Sequence, residues 1–136
     1  NELSTKGYLS SYKDCKVKVS FGKGRISNVP WVAFLKGNNE IRSGIYPVIL
    51  YYKKIETIVI AFGIGTYFEA IKEWEIEKKY KSKTIKNQLS KNYDGIIPYG
   101  KCYIYSFYEV NDKLDLKMIN DDIDSVIEIY KGNNAK

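Results

Sequence analysis

The sequence predicts an α+β domain, a mainly antiparallel sheet flanked by helices and closed by a C-terminal amphipathic helix. Three observations predict it. Strand-like alternation and short apolar runs cluster in the first half, turn residues separate them, and the clearest helical period comes last. At 136 residues the chain fits one compact domain, 1–136, long enough to bury a real core and too short to add a second catalytic domain.

Lys16 to Phe21 (Lys-Val-Lys-Val-Ser-Phe) alternates polar with apolar, the period of a half-buried strand whose lysines face water, and Gly22-Lys23-Gly24 breaks it. Pro30 to Leu35 and Tyr46 to Tyr52 are near-continuous apolar runs that read as central strands, bounded by Lys36-Gly37-Asn38-Asn39 and by Lys53-Lys54. Thr57 to Gly63 is rich in β-branched residues and follows a four-residue turn, so it pairs antiparallel with the strand before it. From Gly65 to Tyr80 aromatics and charges mix without a period, although Phe68, Ile71 and Trp74 fit one helical face. Lys83 to Asn92 reads as a short helix with Ile85 and Leu89 four apart, ended by Tyr93-Asp94-Gly95. Cys102 to Val110 alternates again as a further strand. In the last helix Ile119, Ile123, Val126, Ile127 and Tyr130 share one face. Asp121, Asp122 and Asp124 are expected to cap its first turn, with Gly132 just past its end. The polar tail from Asn133 reads as the start of a linker.

Composition narrows the function. Lys and Arg number 22 against 16 Asp and Glu, a formal charge of +6, which favours polyanionic partners without requiring them. No apolar run is long enough to span a bilayer and no basic-then-apolar leader opens the chain, so a cytoplasmic protein is expected. Cys15 and Cys102 lack metal-ligand spacing and read as reduced thiols. There is no histidine, which removes the commonest general base, triad member and metal ligand together.

With 13 Tyr and two Trp, many beside glycine, proline or lysine, the chain carries the side chains that base stacking requires. Each of them could equally sit at the rim of a β-rich core. Lys23 between two glycines, followed by Arg25, forms a cationic hairpin tip that fits either a nucleic-acid groove or an ordinary solvated turn. Gly-Lys-Gly-Arg lacks P-loop spacing, so no nucleotide is expected there. Glu75-Ile76-Glu77-Lys78-Lys79 distantly echoes the Glu-x-Lys of metal-dependent nucleases, but no Pro-Asp precedes it and a solvated charged face explains it better. A metal site would have to draw on Glu75, Glu77 and the terminal aspartates. No catalytic residue, metal or cofactor is therefore assigned.

Three motifs in order carry a resemblance: Val-Lys-Val-Ser-Phe-Gly-x-Gly from Val17, Val-Pro-Trp-Val-Ala-Phe-Leu from Val29, and Ser-Gly-Ile-Tyr-Pro-Val-Ile-Leu-Tyr-Tyr-Lys from Ser43. Together they resemble the N-terminal target-recognition domains of the McrB family of modification-dependent restriction GTPases. Thr57 to Ile64, Trp74, Tyr99-Gly100 and the final helix extend the likeness, with 65–91 the thinnest part. The resemblance implies a non-catalytic module that binds double-stranded DNA at a purine followed by a modified cytosine and flips that base into an aromatic pocket. By position the pocket falls on Trp31, Tyr46, Leu50 and Tyr99, and the DNA-contacting loop on Gly22, Lys23, Gly24 and Arg25. Aromatic walls stack on an extruded base, and a leucine offers apolar surface to a 5-methyl group. Leu50 could equally be core. Where the family can place a gap-filling tyrosine this chain has Lys23, leaving the gap to Arg25 or making Lys23 a phosphate contact. The resemblance further implies a GTPase domain in the same full-length protein, from which this piece is excised, and a separate nuclease subunit. The alternatives are a sequence-specific or single-strand DNA-binding module without modification readout, and a basic protein-interaction module.

Overall fold

A computed structural model describes residues 10–20, 29–36, 45–64 and 83–132. Six strands form one sheet in sequence order, every neighbouring pair antiparallel: β1 (Ser11–Tyr12), β2 (Cys15–Ser20), β3 (Trp31–Leu35), β4 (Ile45–Tyr52), β5 (Thr57–Ile64) and β6 (Tyr103–Glu109). Two α-helices accompany them, α1 (Ile85–Leu89) and α2 (Leu116–Gly132), which makes the chain the α+β domain that the sequence predicts.

The strand runs from 30, 46, 57 and 102 fall where alternation and β-branched content put them. β4 and β5 are joined by a 3-10 turn at Lys53–Ile55, with Glu56 in the left-handed region (φ 47°), so that Tyr52 pairs with Thr57 across four residues. The two-residue β1 is too short to show any period, and the sequence gives no sign of it. β6 slips register against β5 between Ile60 and Ala61, a bulge at the point where the sheet meets the loop after α1.

Side chains alternate across a strand, so each strand serves two cores. In β4, Tyr46, Val48, Leu50 and Tyr52 share one face; they join Ala33 and Leu35 of β3, Val59 and Ala61 of β5, and Ile85, Leu89, Tyr93, Ile97 and Cys102 from α1 and its following loop. On the other face Ile45, Ile60 and Phe62 meet Ile119 and Val126 of α2. The apolar runs of β3 to β5 are continuous because helix or loop covers both faces.

α1 is shorter than the sequence predicts. The Thr84 hydroxyl caps it by accepting from Asn87 N–H at 3.2 Å, the helix ends at Leu89, and turns carry the chain on to Tyr93. α2 starts earlier than expected, at Leu116, with Asp115 accepting from Lys117 N–H at 2.9 Å. Asp121, Asp122 and Asp124 therefore lie inside the helix rather than in its first turn, and their expected capping role is corrected. Asp122 and Asp124 instead accept hydrogen bonds from the hydroxyls of Tyr108 and Tyr12, tying α2 to strands near opposite sides of the sheet. Asp121 forms an exposed pair with Lys117 at 3.9 Å. Gly132 is the last residue of the helix rather than the residue after it. Among the described residues no helix is long and apolar enough to cross a membrane.

Candidate functional site

Trp31, Tyr46, Leu50 and Tyr99 come from β3, β4 and the loop after α1. Trp31 opposes Leu50 directly across β3 and β4, and Tyr46 is on the same face of β4, four residues earlier. Trp31 is half-buried at the edge of the core cluster. Leu50, 1% exposed, is a core residue, and Tyr46 is 8% exposed. The backbone thus gathers the three strand residues, with Leu50 and Tyr46 beneath and Trp31 as the more accessible ring.

Tyr46 is seated by the residue opposite it. It pairs with Gly63, and a Cβ at residue 63 would lie 2.4 Å from Tyr46 Cε1 and 2.6 Å from Cζ, so the ring crosses the strand where β5 has no side chain. Burial above all, then the neighbouring Cys102 thiol and Tyr99 phenol, hold the Tyr46 hydroxyl well above the ordinary tyrosine pKa. Cys102 is itself buried and its thiol pushed up by burial, against which the Ile64 N–H that donates to its sulfur acts.

Tyr99 is 41% exposed with a left-handed backbone, φ 59°. That conformation is rare for a bulky side chain. The loop sustains it through hydrogen bonds on both sides of Tyr99. Tyr52 Oη donates to Pro98 O at 2.7 Å, Cys102 N to Tyr99 O at 3.1 Å, and Lys86 N to Gly100 O at 3.0 Å. The loop base is also stitched to α1 and β6, with Ile85 N donating to Cys102 O at 2.9 Å and Ile104 N to Lys83 O at 2.6 Å. Gly95, φ 89°, turns the chain at the outer end of the loop, where Ile96 stands exposed.

Charge is divided along the chain. Residues 83–101 carry four exposed lysines (Lys83, Lys86, Lys91, Lys101) and one aspartate, whereas residues 109–128 carry seven carboxylates and two lysines. The loop with Tyr99 therefore sits among cations, and α2 carries much of the acid.

Gly22, Lys23, Gly24 and Arg25 lie outside the described residues, as do Trp74, Glu75 and Glu77. The described chain stops at Ser20, which closes β2 opposite Trp31, and resumes at Val29, two residues before Trp31. Sequence reasoning missed Tyr52 and Gly63. A buried tyrosine within an apolar run reads only as core, whereas a glycine inside a β-branched strand is a recognisable sign of close approach.

A family model described as the N-terminal domain of MrcB-like proteins matches residues 2–134. Over 130 residues the chain is 37% identical to the type IV methyl-directed restriction enzyme EcoKMcrB subunit of Escherichia coli (strain K12). The alignment covers 94% of this chain and 28% of that protein, so the chain spans little more than a quarter of its relative. With the match running almost end to end, the chain belongs to the family of MrcB-like N-terminal domains.

Proposed function

We propose that this domain binds double-stranded DNA containing a modified cytosine and reads the modified base after flipping it out of the duplex. Trp31 and Tyr99 are its aromatic walls, and Tyr46 and Leu50 form its floor. In the full-length protein it serves as the target-recognition module, with GTP hydrolysis in another domain and DNA cleavage in a separate nuclease subunit. The observation that carries the reading is a half-buried Trp31 directly opposite Leu50 on the Tyr46 face of the sheet, with an exposed Tyr99 in the loop whose Ile97 and Cys102 pack on that face, in a chain similar to a methyl-directed restriction subunit.

The energetics fit. Extruding a base costs a few kcal/mol, while each ring stacked on it returns about 1–3 kcal/mol. Two walls therefore offset the extrusion. A methyl group held against apolar surface adds about 1–3 kcal/mol of discrimination, so the preference for modified DNA is real and modest. Lys83, Lys86, Lys91 and Lys101 around the Tyr99 loop, with Lys23 and Arg25 in the stretch between Ser20 and Val29, supply phosphate contacts whose strength falls with salt.

The test is an equilibrium titration at fixed salt, comparing a short duplex carrying one purine-5-methylcytosine step with its unmodified twin. Wild-type protein is expected to favour the modified duplex by roughly tenfold to a hundredfold. Tyr99→Ala is expected to erase most of that ratio while keeping the salt-dependent binding to both. Equal affinity of the wild type for the two duplexes contradicts modification readout and leaves a DNA-binding module of another specificity. Absence of salt-sensitive DNA binding points instead to a protein partner.

A further inference from the structure

The Tyr99 loop is hydrogen-bonded to a residue outside the predicted pocket. Tyr52, on β4, is fully buried; its ring meets Tyr93 edge-on at 6.0 Å, and its hydroxyl donates to Pro98 O at 2.7 Å. The Pro98 carbonyl and the Tyr99 nitrogen belong to one planar peptide unit. Holding that oxygen therefore fixes the plane about which the φ of Tyr99 turns. Tyr99 has φ 59°, a conformation that a tyrosine keeps only when its surroundings over-determine it. Beyond Tyr99, the bonds from Cys102 N to Tyr99 O and from Lys86 N to Gly100 O hold the other side.

We propose that Tyr52 is a positioning residue for base recognition: its hydroxyl holds the Pro98–Tyr99 peptide so that the Tyr99 ring stands ready beside the base site before DNA arrives. The inference rests on the reading of Tyr99 as a wall of that site. A wall set in advance spares the complex the entropy of ordering a loop, and the saving is felt where the ring meets the base rather than at the phosphates. Tyr52 touches no DNA in this account. Burial, foremost, keeps its hydroxyl protonated and able to donate well into alkaline pH.

Tyr52→Phe removes the hydroxyl and leaves the ring. Amide hydrogen exchange and the paired duplex titration are measured on the same variant, with Tyr12→Phe as control, since Tyr12 loses a comparable hydroxyl bond to Asp124. In Tyr52→Phe the Cys102 amide is expected to exchange faster while amides of the β4–β5 pair keep their protection. The preference for modified over unmodified duplex is expected to fall roughly two- to tenfold, the worth of one hydrogen bond, with affinity for the unmodified duplex unchanged. Tyr12→Phe is expected to leave the preference intact. Unchanged Cys102 exchange overturns the proposal. So does faster exchange with an unchanged preference when Tyr99→Ala abolishes that preference, because Tyr99 then finds its place unaided. If Tyr99→Ala itself leaves the preference intact, the assignment of Tyr99 is what fails, and the positioning role of Tyr52 falls with it.

Discussion

Tyr46 reaches across β5 because residue 63 has no side chain. A methyl group placed there would lie 2.4 Å from the ring, far inside van der Waals contact, and the ring edge rather than a flexible chain end is what it would meet. Gly63→Ala therefore forces the ring to move, and its cost is set by the surrounding close-packed core. A loss of about 1–3 kcal/mol in unfolding free energy is expected from chemical denaturation, with a reduced preference for modified DNA in duplex titration. Wild-type stability in this variant would mean that the ring does not rest on Gly63. Tyr99 and Tyr52 complete the picture at this scale, one ring held in an uncommon backbone conformation and one hydroxyl holding it. Of the four pocket residues taken from the resemblance, Trp31 and Tyr99 offer accessible aromatic surface, whereas Leu50 serves first as core.

Among the elements, β4 carries two buried tyrosines. Tyr46 and Tyr52 alternate with other residues on one of its faces, and burial holds both hydroxyls far above the ordinary tyrosine pKa near 10. Cys102 and Cys15, both buried, have thiols raised above their ordinary value near 9. A group whose pKa is raised on folding stabilises the native state fully below its unfolded pKa, and that contribution is lost as pH rises through the folded value. The melting temperature is accordingly expected to show no loss from these groups below about pH 8, to begin falling near 9 as the unfolded thiols ionise, and to fall steeply above 10 as the unfolded tyrosines follow. In Tyr52→Phe, which starts lower, the alkaline fall is expected to be shallower. A wild-type profile flat to pH 11 would show that these hydroxyls ionise as easily folded as unfolded. The strands were legible in the sequence because alternation and β-branched runs follow from burial on one face or two. β1 was not, since two residues carry no period. The limits of α2 were misread from its aspartates, because Asp122 and Asp124 answer tyrosines more than ten residues away in sequence, a tertiary demand that overrides the preference for a helix start. Tyr99 was legible only through the resemblance, and its backbone conformation not at all.

For the whole molecule, the sheet divides two roles. One face carries α2, whose buried stripe of Ile119, Val126, Ile127 and Tyr130 closes a core and whose outer surface is rich in acid. The other carries α1 and its following lysine-flanked loop, whose Tyr93, Ile97 and Cys102 pack with the β3–β4 residues and which exposes Tyr99. The lysines of the second face favour a polyanion and the carboxylates of the first disfavour one. Ser20, the last described residue before the Gly22–Arg25 segment, pairs directly with Trp31. In the proposed function the modified base itself enters the site. Its most direct test is the carbon-13 methyl resonance of a 5-methylcytosine placed in a short duplex and saturated with protein. A large upfield displacement from the ring currents of Trp31 and Tyr99 is expected, lost in Trp31→Ala; a methyl resonance that keeps its position within the stacked duplex at saturation means that the base stays out of the site.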